Sequence, residues 1–134
     1  MHIEHFNSSA PRELLLQLRD FYCFLFDLAE GTRPQFTRAG YWLYSEGKAL
    51  MHLTESKAHT SANGKGFLAH LTFQTTGLQQ LQSRMQSLDV SYYTEHLPEI
   101  GMTQVFFFGP GRHRSGSKFP ARNPLSNHAS YRAR

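Results

Sequence analysis

His5 and His70 stand 65 residues apart, and each lies in a stretch that reads as a strand followed by a helix. Residues 2–8 alternate enough to form a short strand. Pro11 suits the first turn of a helix, with Ser9 just ahead and Glu13 favourable near the positive helix end. Leu14, Leu15, Leu18, Phe21, Tyr22 and Leu25 recur at helical spacing and make an apolar stripe running to about Leu28. Residues 30–34 read as a turn or an irregular strand. Residues 41–44 and 49–54 flank Ser45-Glu46-Gly47-Lys48 as the arms of a β-hairpin. Residues 56–66 are polar and turn-rich, as a linker loop would be. The pattern then restarts. Residues 67–73 read as a strand, Thr76 and Gln79 have capping-box spacing, and Leu78, Leu81, Met85 and Leu88 give a second helical stripe. Residues 90–94 and 103–108 read as two more strands. Self-similarity at a fixed offset points to a duplicated unit and an α+β fold. The expected organisation is a first module at 1–55, the linker at 56–66, an incomplete second module at 67–109 and a basic, irregular tail at 110–134. The second module lacks a counterpart to residues 49–54, because residues 110–134 show almost no alternating apolar pattern.

Composition narrows the class. A chain of 134 residues, 40% of them hydrophobic, holds one domain or two very small ones and builds a packed core. No apolar run reaches the roughly 18 residues that span a bilayer. The first residues lack a basic start followed by an apolar core, so no secretory signal is read and a cytoplasmic protein is expected. Cys23 is the single cysteine, which excludes an intrachain disulfide and any multi-cysteine metal site. The net charge of +4 is uneven: residues 110–134 carry six of the fourteen Lys and Arg and no acid. The tail has no groove-reading motif and only Phe119 and Tyr131 as stackers, so specific nucleic-acid binding is not expected.

Histidine carries the chemical signal. Of the eight histidines, His5, His52 and His70 fall in predicted strands, and the other five fall in predicted termini or loops. Strand side chains alternate faces, so Ile3, His5 and Asn7 share one face, as do Leu50, His52 and Thr54, and Leu68, His70 and Thr72. If the three faces line one cavity, three neutral imidazoles converge on a divalent metal with open positions for substrate. Taken singly, a strand histidine is more often a core residue than a ligand. Cys23 reads as a small buried hydrophobe in the first helix.

The order of elements, with Tyr41-Trp42-Leu43-Tyr44, Leu50-Met51-His52-Leu53, Gly66–Phe73 and Thr103–Phe108, resembles the vicinal oxygen chelate superfamily over residues 2–109. That superfamily includes glyoxalase I, extradiol dioxygenases, fosfomycin-resistance enzymes and bleomycin-binding proteins. The resemblance implies paired βαβββ modules forming a cupped mixed sheet around a divalent metal (iron, zinc, nickel or manganese). It assigns His5 to the first-strand ligand and His70 to the fifth-strand ligand. His52 stands where glyoxalase I-like members place a fourth-strand ligand, usually Glu. Members typically continue with Asp-Pro-x-Gly and a last strand bearing a ligand Glu. Here Gly109-Pro110-Gly111-Arg112 follows, so the last strand is expected to be missing or degraded. We hypothesise a shifted reading frame after Phe108: deleting one nucleotide, under one codon choice, restores an Asp-Pro motif and a Val-Glu-Val near Gly116. A missing strand would leave an open edge that a second chain covers in a homodimer. The resemblance implies a metal-dependent enzyme that chelates two adjacent oxygens of a small substrate, as a glyoxalase-type lyase or a ring-cleaving dioxygenase. The alternative is a metal-free binding or drug-sequestering module with a pocket lined by Trp42, Tyr44, Phe106 and Phe108, or an inactive frameshifted relative.

Overall fold

The computed structural model describes residues 1–58, 70–112, 114–120 and 130–133, omitting the side chains of residues 112, 114, 118 and 120. Two compact units result, Met1–Ala62 and Asn63–Arg134. The first contains β1 (Phe6–Ala10), α1 (Arg12–Phe26), β2 (Ala29–Gly31), β3 (Gly40–Ser45) and β4 (Lys48–Glu55). The second contains β5 (Leu71–Gln74), α2 (Leu78–Ser87), β6 (Tyr92–Leu97), β7 (Met102–Phe108), β8 (Arg114–Pro120) and a short β9 (Ser130–Tyr131). Sheet order is β1-β4-β3-β2 in the first unit and β5-β8-β7-β6-β9 in the second. The first strand pairs parallel with the last of its module in both cases, and the remaining pairs are antiparallel. Each unit is therefore one βαβββ module with the same strand order. This is the α+β duplication that the His5/His70 offset predicts.

Local sequence explains most of the elements. In α1 the stripe residues Leu15, Leu18, Phe21, Tyr22 and Leu25 are buried. Leu43, Met51 and Leu53 are buried on the strands, and α1 packs against both β3 and β4. Each large aliphatic side chain buried this way contributes about 1.5–3 kcal/mol. Helix α1 starts one residue later than expected: Pro11 is its N-cap, without a side-chain capping bond, and Ser9 belongs to β1. The hairpin turns at Glu46 and Gly47, both with positive φ (49° and 78°), the backbone that matches the right-handed twist of the flanking strands. The capping box expected at Thr76 and Gln79 is absent. The N-cap of α2 is Gly77, in the left-handed region at φ 80°, with no side-chain cap bond. Linker residues 59–66 and strand residues 67–69 lie outside the described residues. No described helix is long and apolar enough to cross a membrane.

The larger correction concerns the C-terminal part. Residues 114–120 are a full strand, and residues 130–131 add a fifth strand beside β6. Residues Thr103 to Phe107 of β7 are all buried, so their backbone donors and acceptors need partners on both sides. Strand β6 supplies one side and β8 the other. That backbone demand places the strand without help from apolar alternation. The shifted-frame hypothesis rested partly on a missing strand, and that premise does not hold. The composition of β8 still has a consequence. Ser117 is 0% exposed, pairs with Val105, and its Oγ has no hydrogen-bond partner among the described residues. A buried, unsatisfied hydroxyl costs about 1–3 kcal/mol. Ser117→Val is therefore expected to stabilise the protein by about 1 kcal/mol, read as a higher urea midpoint at unchanged slope. A lower midpoint would show that Ser117 has a partner.

Candidate functional site

The sheet of the first unit has one face against α1 and carries its chemistry on the other. Register sets the arrangement: β1 pairs Asn7 with His52, and β3 pairs Trp42 with the same His52. Three adjacent strands thus place Asn7, His52 and Trp42 in a row. Asn7 Nδ2 donates to Thr54 Oγ1 at 2.9 Å. His52 lies flat against Trp42, with ring centroids 4.1 Å apart and planes 10° from parallel. His5, immediately before β1, lies on the other face of His52 at 3.8 Å and 15°. The result is a three-ring stack. His5 Nδ1 also meets Glu4 Oε2 at 2.5 Å, in an exposed pair.

The segment between β2 and β3 closes one side. The Arg33 guanidinium lies 4.8 Å over the Phe36 ring and donates from Nη2 to the Arg38 carbonyl at 3.0 Å. A Cβ on Gly40 would stand 2.1 Å from the Leu53 carbonyl oxygen, so glycine is required for β3 to lie this close to β4, and it would also meet Arg33 Nη2 at 3.1 Å. Asn7, Trp42, His52 and Thr54 from the sheet, with Arg33, Phe36, Thr37 and Arg38 from the segment, line an open pocket of about 260 Å³.

Two buried side-chain atoms of pocket-lining residues, Arg33 Nε and His52 Nε2, have no hydrogen-bond partner among the described residues. His52 is only 7% exposed. Burial pushes its pKa below the ordinary value of 6.5, and the neighbouring His5 pushes the same way. A hydrogen bond to the Ala49 backbone and the charge of Glu4 oppose them, while Arg33 lowers it further. The neutral ring is therefore favoured in the folded chain.

The other expected site residues divide. Trp42 lines the pocket. Tyr44 does not: its ring covers Gly31 and its hydroxyl donates to the Thr32 carbonyl at 2.5 Å. His70, Phe106 and Phe108 belong to the second unit. His70 is exposed, stands immediately before β5 and meets Phe106 edge-on at 6.1 Å. Phe106 is buried and stacks on Tyr93 at 4.9 Å, while Phe108 is 57% exposed. His5 and His70 thus hold the same position in the two modules. By the same register, Gly116 is the counterpart of His52 and Phe106 that of Trp42, because β8 pairs Gly116 with both Thr72 and Phe106.

A single ion does not fit His5 and His52 as they stand. An imidazole lone pair lies in its ring plane, and a metal sits about 2.0–2.1 Å from the nitrogen. Stacked rings with centroids 3.8 Å apart and planes 15° from parallel do not aim their lone pairs at one such point. Joint ligation would require the stack to break. Strand β8 has no carboxylate, imidazole or thiol. Among the described residues, no three His, Cys, Asp or Glu side chains gather as a metal site.

Sequence reasoning found His5, His52 and Trp42 but missed Arg33, Phe36 and Arg38. The available signal was two arginines and an aromatic within six residues of a predicted turn.

The depressed pKa of His52 has a stability consequence. The unfolded chain takes up this proton near pH 6.5, whereas the folded chain resists it. Stability is thus unaffected by His52 above that pH and falls as pH drops below it. His52→Gln is expected to flatten that part of the slope of unfolding free energy against pH. An unchanged slope would mean that His52 titrates normally in the folded protein.

No family model and no curated protein sequence matches the chain. Solved structures do. A glyoxalase family protein from Bacillus anthracis superposes with a TM-score of 0.71 at 17% identity, covering 90% of this chain and 95% of that one. A glyoxylase/bleomycin resistance protein/dioxygenase domain from Frankia sp. EAN1pec gives 0.71 at 16% identity, covering 90% and 98%. The fosfomycin resistance protein FosX from Listeria monocytogenes gives 0.67 at 13% identity, covering 89% and 93%. Two mixed sheets, two helices and these likenesses show that the chain has the fold of the vicinal oxygen chelate superfamily.

Proposed function

We propose that this protein binds a small, flat organic molecule in the pocket of its first unit, as a metal-free member of the fold. One observation carries the proposal: an open pocket with an aromatic wall of Trp42 and Phe36 and polar side chains of Asn7, Arg33, Arg38 and Thr54 around it. Apolar walls with a few convergent polar groups are the usual make-up of a ligand site. Trp42 is the single tryptophan and reports on its own pocket. Titrating the protein with uncharged, cationic and anionic benzene derivatives is expected to give saturable Trp42 fluorescence changes with at least one of them. A response that grows linearly with every compound would contradict ligand binding here.

A metal-dependent enzyme is the second reading. It draws on His5, His52 and His70 with iron, zinc, nickel or manganese, and the matched positions of His5 and His70 in the two modules favour it. FosX has been crystallised with Mn(II) and 1S,2S-dihydroxypropylphosphonic acid. In this chain the ring stack and the bare β8 oppose it. At Gly116 an added Cβ would stand 3.3 Å from Thr72 Oγ1, a tight contact that a small shift of the threonine side chain relieves. Elemental analysis of untagged protein is expected to find no stoichiometric divalent metal, and Gly116→Glu is expected to raise uptake of manganese. About one metal per chain in the unaltered protein, lost in His70→Ala, would establish the metal-dependent reading instead. The homodimer belongs to this proposal as well, and sedimentation velocity reads it directly.

A further inference from the structure

Charge is unbalanced around the pocket of the first unit. Arg33 and Arg38 both line it, and no Asp or Glu is among the described residues that do. Arg19, elsewhere in the same unit, shows the ordinary arrangement of an arginine, with Asp20 at 2.9 Å and Glu30 at 3.6 Å. Neither Arg33 nor Arg38 forms an ion pair among the described residues. Arg33 is held by groups that leave its charge in place: the Phe36 ring beneath it at 4.8 Å and the Arg38 carbonyl, which accepts from Nη2 at 3.0 Å. That bond fastens the two arginines to one short segment beside one opening. The Arg38 side chain is exposed and makes no hydrogen bond of its own among the described residues. Two cations beside one opening repel each other, and a bound anion attracts both. Thr54 adds a neutral donor. Its Oγ1 accepts from Asn7 Nδ2 at 2.9 Å, which leaves the hydroxyl hydrogen for another acceptor. The aromatic wall is Trp42 with Phe36, whose rings stand 6.2 Å apart at 43°.

From this imbalance we infer that the pocket selects its ligand by charge and takes a small aromatic anion, its ring against Trp42 and Phe36 and its negative charge beside the Arg38 guanidinium. Arg33 acts on the same charge through the field of its guanidinium. The inference rests on the proposed binding function and names the ligand class for the same pocket.

The probes are benzoate, benzamide and benzamidine, three molecules of nearly one shape with charges of −1, 0 and +1, titrated calorimetrically into the full chain. Benzoate is expected to bind about tenfold tighter than benzamide, and benzamidine weaker than either. Raising the salt from about 0.1 M to about 1 M is expected to shrink that ratio. Arg38→Gln is expected to narrow the ratio of benzoate to benzamide affinity about fivefold, and Arg38→Glu to turn the preference toward benzamidine. Lys48→Gln removes an exposed cation of the same unit that does not line the pocket, and it is expected to leave the ratio as it was. Because each variant is judged by the ratio of two ligands, a general loss of folding would lower both and is recognisable. Benzamide or benzamidine binding as tightly as benzoate, Arg38→Glu keeping the preference for benzoate, or Lys48→Gln narrowing the ratio as much as Arg38→Gln would overturn the inference while leaving a ligand site in place. Failure of all three probes to bind would overturn the inference and count against the binding function itself.

Discussion

Each module closes on a parallel pair between its first and last strands, and the remaining structure follows from that pairing. Strand β1 lies beside β4, and β5 beside β8. A parallel pair needs a long crossover, which the helix and two intervening strands supply. Closure places the short first strand against a strand from the far end of the module, so side chains more than forty residues apart in sequence become neighbours. In the first unit it sets Asn7 beside His52 and lets His5 reach the histidine ring. In the second it sets Thr72 beside Gly116. The same frame carries a site in one copy and a bare glycine in the other.

This difference bears on what the protein does. Duplicated modules start with equivalent positions, and chemistry separates them. The His52 position keeps a donor or ligand atom in the first unit, and its counterpart has no side chain. The ring stack uses His5 and His52 as flat surfaces as much as nitrogen sources. Stacking buries His52, and burial lowers its pKa. A pair of imidazoles committed to stacking is poorly placed to share an ion. The likenesses to glyoxalase-fold structures are carried by the module and its repeat, at identities of 13–17% that speak for the fold alone.

Periodicity made most of the fold legible. Leu15, Leu18, Phe21, Tyr22 and Leu25 announce α1, and the Tyr41–Thr54 hairpin announces β3 and β4, because their burial patterns repeat locally. Strand β8 was illegible for a physical reason. Ser115, Gly116 and Ser117 carry no apolar alternation, and the strand exists because β7 needs backbone partners on its second side. That demand belongs to the neighbour and leaves no mark in residues 114–120. The site was half legible. His5 and His52 stood out by residue type and Trp42 by its strand. Arg33, Phe36 and Arg38 sit in an irregular segment whose contacts, Arg33 over the Phe36 ring and onto the Arg38 carbonyl, no periodic signal encodes. Tyr44 misled because it shares a strand with Trp42. The register shift between Leu43 and Tyr44 and the space over Gly31 take its ring elsewhere.

The central claim is that stacking holds His52 as a buried, neutral ring between Trp42 and His5. Long-range proton–nitrogen correlation spectra of protein labelled with ¹⁵N-histidine, recorded near neutral pH, read its protonation state directly. The account requires His52 to be neutral, and its ring protons to show contacts to Trp42 on one side and His5 on the other. A protonated His52, or a His52 ring without contact to Trp42, would contradict it.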